Sequence, residues 1–139
     1  MADLLKPDLY AAEGTHAVPD RPALKGGACA ACGGVFFPLQ TYGCERCGSL
    51  DLAPRRLSGA GRLTASARVH LHAGKGREAP FTVVQVALDD GPTVRTLAGD
   101  DAPLEVGQRM AAVLAPATGP DGAPCLDLRF VPALSGREA

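Results

Sequence analysis

The sequence predicts a mostly β chain: a short N-terminal arm with helical spacing, a four-cysteine metal ribbon and a small five-stranded barrel. Three observations carry this. Four of the five cysteines fall within residues 29–47 as two C-x2-C pairs. Beyond residue 57 the apolar residues recur with a period of two, the signature of half-buried strands. Gly and Pro number 17 and 12, a share that favours short strands and turns over long helices.

Residues 1–25 form the arm. Leu4, Leu5, Leu9 and Ala12 fall on one side of a short helix that Pro7 interrupts, and the plain alternative is a frayed tail. Residues 26–53 form the ribbon. Its pattern is Cys29-Ala-Ala-Cys32-Gly33, then Cys44-Glu-Arg-Cys47-Gly48, with eleven residues between the pairs. Tetrahedral Zn²⁺ takes four thiolates at about 2.3 Å, and two facing C-x2-C turns supply them. Each turn needs a residue that tolerates positive φ, the role of Gly33 and Gly48. Four protein thiolates close the coordination sphere, so one structural zinc per chain is expected and no open position for Lewis-acid chemistry. Two disulfides are the rival reading. Met1-Ala-Asp-Leu-Leu-Lys-Pro7 does not read as a secretory leader, which points to a reducing, cytoplasmic setting where disulfides are rare.

Residues 54–139 form the barrel. Leu63, Ala65, Ala67, Val69 and Leu71 alternate with polar residues along one long strand, with a bulge or bend expected at Gly59 and Gly61. A polar connection from His72 to Pro80 carries Lys75 and Arg77. Phe81–Leu88 is apolar on both faces, as a central strand should be, and Asp89-Asp90-Gly91 marks a hairpin into Pro92–Leu97. Residues 109–115 and 124–131 are the last two strands, joined by a turn through Gly119-Pro-Asp-Gly122. Five strands match a barrel of the OB type. Periodicity equally allows another small barrel or an open sandwich.

Composition narrows the function. Acidic and basic residues number 15 and 14, a net charge of −1 that lacks the cation surplus of a dedicated nucleic-acid binder. Aromatics are 4% with no Trp, too few for a stacking platform. No apolar run reaches the ~20 residues that span a bilayer. Gly59-Ala-Gly61 lacks the third glycine of a dinucleotide fingerprint, and Gly74-Lys75-Gly76-Arg77 lacks the Ser/Thr of a P-loop. His70 and His72 read as surface histidines, and Cys125 as a small filler in the last strand. No Ser/His/Asp set or carboxylate pair assembles, so no activity is expected of the chain alone.

These motifs resemble the zinc-ribbon/OB-fold proteins that accompany acyl-CoA enzymes. The likeness runs over residues 25–132, through Cys29-x-x-Cys32-Gly33, Phe37-Pro38, Cys44-x-x-Cys47-Gly48-Ser49, Leu57-Ser-Gly-Ala-Gly-Arg-Leu63, Pro80-Phe81 to Gly91, Val106-Gly107 and Phe130-Val-Pro132. Leu39-Gln40 and Glu45 stand where the family usually has a basic residue and a Pro. The resemblance implies a helical arm, a rubredoxin-like ribbon and an OB barrel. It further implies a non-catalytic subunit beside a thiolase-like protein, a related aldolase or a hot-dog-fold hydratase. Within the family it is most similar to the small subunit of two-component thiolases that process aromatic acyl-CoA intermediates. The partner would supply nucleophile and bases, and a coenzyme A thioester would be the ligand of the complex. Lys75 and Arg77 would meet its phosphates. Phe36, Phe37 and Tyr42 would be docking anchors, or else be buried against the zinc knuckles. The rival class is a nucleic-acid-binding or transcription-associated ribbon/OB module, which predicts salt-sensitive binding to single strands.

Overall fold

The computed structural model describes residues 3–14, 21–70, 80–100, 102–119 and 121–133. Ten strands make two sheets. They are β1 (Asp3–Leu4), β2 (Tyr10–Ala11), β3 (Ala23–Cys29), β4 (Val35–Phe36), β5 (Leu52–Leu57), β6 (Ala60–Val69), β7 (Phe81–Leu88), β8 (Thr93–Leu97), β9 (Arg109–Thr118) and β10 (Pro124–Pro132).

The ribbon sheet is built on β3, which pairs with β5 along one side and with β2 and β4 along the other. The second sheet runs β1-β10-β9-β6-β7-β8. Its strands β6 to β10 form a nearly closed OB barrel. The gap between β8 and β10 is bridged where Ala98 lies parallel to Phe130 and the Gly99 amide donates to the Phe130 carbonyl at 2.9 Å. Thr96 Oγ1 adds a hydrogen bond to the Leu128 carbonyl at 3.1 Å. β5 runs from the ribbon sheet almost directly into β6 through Ser58 and Gly59.

The arm is not helical. Among the described residues there is no helix at all, and residues 3–14 hold β1, a turn and β2. Pro7 lacks the N–H a helix needs and sits instead in the turn, closed by the Leu9 amide on the Lys6 carbonyl at 2.9 Å. Two strand edges then offer the arm better partners than its own backbone would. β1 lies parallel on β10 with Leu5 N on Leu126 O at 2.8 Å, and Lys25 N reaches Leu9 O at 2.8 Å beside β2. Tertiary pairing overrides local spacing here.

The sheets share one core. Tyr10, Leu24 and Leu57 of the ribbon sheet pack in a single cluster with Leu63, Val84, Val86, Leu88, Met110, Leu128 and Phe130 of the barrel. The long strand β6 departs from simple alternation. Leu63 faces Val86, but Ala65 faces Gln85, so a bulge at Thr64 flips the parity. Leu63 is therefore buried, while Ala65 and Ala67, expected on its face, are exposed.

Gly61 marks the tightest crossing. A Cβ there would press on the Ala87 carbonyl oxygen and come within 2.9 Å of Leu88 Cα, both backbone. Backbone cannot rotate aside, so Gly61→Ala is expected to cost about 2–3 kcal/mol by overpacking. A lower urea midpoint with an unchanged slope would show it.

Candidate metal centre

The two C-x2-C turns are near copies. Gly33 N donates to Cys29 O at 2.8 Å and Gly48 N to Cys44 O at 2.7 Å, with φ of 78° and 79° at the two glycines. Only a residue without Cβ adopts that left-handed backbone freely. Each turn is locked at its base by a second bond, Cys29 N to Gly34 O at 2.9 Å and Cys44 N to Ser49 O at 2.8 Å. The Ala30 amide joins them by donating to Asp51 O at 2.9 Å. Gln40 shapes the loop between, its Nε2 donating to Gly43 O at 2.7 Å.

These turns bring all four sulfurs within 4.8 Å of one another. Cys29 Sγ lies 3.6 Å from Cys47 Sγ, and Cys32 Sγ lies 3.6 Å from Cys44 Sγ. A tetrahedron with Zn–S legs of ~2.3 Å has edges of about 3.8 Å. Disulfides require ~2.05 Å, and all five cysteines are free. Electrostatics agree with a cation site. The Arg46 amide, with that of Cys47, holds the Cys44 thiol down to about 6, and the Cys32 amide lowers Cys29. At Cys47 the Ser49 amide pulls downward, but Cys29 and the other crowded sulfurs outweigh it and push the thiol up to about 12. Four thiolates so close need a positive ion among them. The four cysteines are thus positioned to bind a structural zinc.

The remaining site residues scatter. Lys75 and Arg77 lie outside the described residues. Phe36 is buried at 6% exposure, its ring lying where a Gly27 side chain would stand, so it is consumed inside the ribbon. Phe37, joined to Pro38 by a cis peptide, packs partly buried against the shared core. Tyr42 is 92% exposed. Cys125 is buried on β10, and His70 is exposed at the end of β6.

Two family models match adjoining segments, together residues 16–115. The ChsH2 rubredoxin-like zinc ribbon domain covers residues 16–53, and the ChsH2 C-terminal OB-fold domain covers residues 54–115. A DUF35 domain-containing scaffold protein of Methanothermobacter thermautotrophicus is 30% identical over 122 residues, 83% of this chain and 90% of that protein. The chain belongs to the DUF35 family. Among solved structures, a chain of the Ltp2-ChsH2(DUF35) aldolase superposes with a TM-score of 0.62 at 26% identity, over 81% of this chain and 86% of that one. The boundary between the two DUF35 modules falls inside β5, which pairs with the ribbon and feeds the barrel. Among the described residues no helix is long and apolar enough to cross a membrane.

Two features of this DUF35 chain escaped sequence reasoning. Tyr10, Asp127 and Arg129 form a buried polar contact between arm and barrel, with Tyr10 Oη donating to Asp127 Oδ1 at 2.8 Å and Arg129 Nε to Asp127 Oδ2 at 3.1 Å. Lys25, Arg55 and Arg56 gather on one groove of the ribbon. The adjacent arginines were the one visible sign of the second. Nothing local signals the first.

Proposed function

We propose that this DUF35 chain is the non-catalytic scaffold subunit of an acyl-CoA-processing complex, seated on a thiolase-type subunit that cleaves a β-ketoacyl-CoA. The scaffold part of the reading is carried by the 26% identity over 81% of the chain to the DUF35-containing aldolase, and the thiolase-type partner by the resemblance of the ribbon and barrel motifs. The site chemistry supports it. A closed sulfur cage offers substrate no coordination position. Among the described residues Cys125 is buried and the only histidine, His70, is exposed just past the end of β6, so no nucleophile and base meet. Bond cleavage belongs to the partner.

The test is co-expression with the thiolase-like or aldolase-like protein encoded nearest this gene. The pair should co-purify and turn over an acyl-CoA that neither chain converts alone. Thioester turnover by the isolated DUF35 chain would overturn the reading. Lys75 and Arg77, between β6 and β7, are the residues this reading assigns to the phosphates of coenzyme A. In the complex, Lys75→Ala with Arg77→Ala should raise KM for the CoA substrate about tenfold with kcat little changed, because ground-state contacts are lost. Steady-state kinetics decide it.

A further inference from the structure

The ribbon carries two cations side by side on one strand pair. In the register of β3 against β5, Lys25 lies directly opposite Arg56, with Gly26 opposite Arg55 in the next pair. Like charges directly opposite on antiparallel strands are destabilising. Among the described residues neither Lys25 nor Arg56 forms an ion pair. Lys25 Nζ donates to the Pro7 carbonyl at 2.7 Å and Arg56 Nη1 to the Glu13 carbonyl at 3.2 Å, contacts that satisfy N–H groups without cancelling charge. A groove of about 420 Å³ opens between them, lined by Lys25, Gly26, Leu39, Pro54, Arg55 and Arg56, with no carboxylate in its walls.

We infer that this groove is the docking surface for an acidic segment of the catalytic subunit. The inference rests on the scaffold reading above and names where that contact is made. Charge complementarity selects the occupant: Lys25 and Arg56 stand side by side on one face of the strand pair, with Arg55 at the groove's border, on a chain whose net charge is −1, so the excess is local rather than general. The exposed Leu39 and Pro54 give the groove an apolar wall, which suits a polypeptide. No aromatic side chain lines it for bases to stack on, which disfavours single-stranded nucleic acid. Pro54 also removes a backbone donor from the open side of β5, so the segment is held by side chains and not by strand addition.

The test compares Lys25→Glu/Arg56→Glu with the wild-type zinc-loaded chain. Both residues border exposed surface, and reversal preserves their mutual repulsion, so zinc content should stay unchanged. Lys25→Gln/Arg56→Gln is a milder second variant, and Arg62→Glu on the barrel is the control. Where the wild type co-purifies with the catalytic subunit, reversal should weaken the complex at least about tenfold and abolish its salt sensitivity. Retention of full affinity by the reversed variant overturns the groove while leaving the scaffold reading intact. Where the wild type captures no such subunit, the scaffold reading fails, and fluorescence anisotropy with labelled decaglutamate judges the groove alone. Saturable binding lost in the reversed variant and kept by Arg62→Glu supports it. Absence of that binding, or tighter binding of a 20-nucleotide oligo-dT through the same residues, overturns it.

Discussion

Replacing Cys44 with serine, or stripping the metal with a chelator, is expected to melt the ribbon tip while the barrel stays folded. The reason lies in where apolar area is buried. Between residues 28 and 51 the buried side chains are Cys29, Cys44 and Phe36, so the metal centre is nearly the whole core of that tip. Structural zinc contributes on the order of 10 kcal/mol in small modules, comparable to the ~5–15 kcal/mol that hold an entire domain. At the other end of the ribbon, Leu24 and Leu57 belong to the barrel core and keep their partners. Metal analysis should fall from about one zinc per chain to near none. Hydrogen exchange should show the Gly33 and Gly48 amides losing protection while Val84 and Val86 retain it. Loss of protection in both regions together would show one cooperative unit and defeat the expectation.

The second large effect is expected at Asp127. This carboxylate is 7% exposed on β10, and both oxygens are engaged, one by the Tyr10 hydroxyl and one by Arg129. Asp127→Ala would leave a guanidinium without its counter-charge and the Tyr10 hydroxyl, which accepts from the Lys6 amide at 3.1 Å, with only the Leu126 carbonyl, 3.3 Å away, to donate to. The expected loss is about 2–3 kcal/mol, and Tyr10→Phe alone should lose about 1 kcal/mol. The double variant should lose less than the sum, because the residues share one bond. Alkaline pH gives an independent check. Burial, then the hydrogen bond and charge of Asp127, push the Tyr10 hydroxyl up from 10.0 to about 12. The neutral phenol is favoured in the folded state, so its contribution is full below pH 10.0 and is lost as pH rises through about 12. Urea midpoints measured across that window should fall for the wild type and stay flatter for Tyr10→Phe.

Much of this architecture was legible because its causes are local. The ends of the Phe81–Leu88 strand agree with the structure, where β7 is a central strand between β6 and β8 and buries Val84, Val86 and Leu88 on one face. The cysteine spacing dictates its own geometry, since a C-x2-C turn with a following glycine admits few backbones. Parity failed where a single extra residue intervened. Thr64 leaves no mark on the alternation of Leu63, Ala65 and Ala67, yet its bulge turns the two alanines outward. The arm failed for a different reason. Leu4, Leu9 and Ala12 have helical spacing, but the free edges of β10 and β3 were not visible until those strands were placed.

Residue identity alone determined the sulfur cage and the five barrel strands, because each depends on spacings of a few residues. Only the folded chain decided that the arm becomes strand, that Asp127 is buried beneath Tyr10, and that Lys25 faces Arg56. The last two of these join positions 117 and 31 residues apart. Such contacts are settled by competition among edges and cavities across the whole molecule, and no short window of sequence contains that competition.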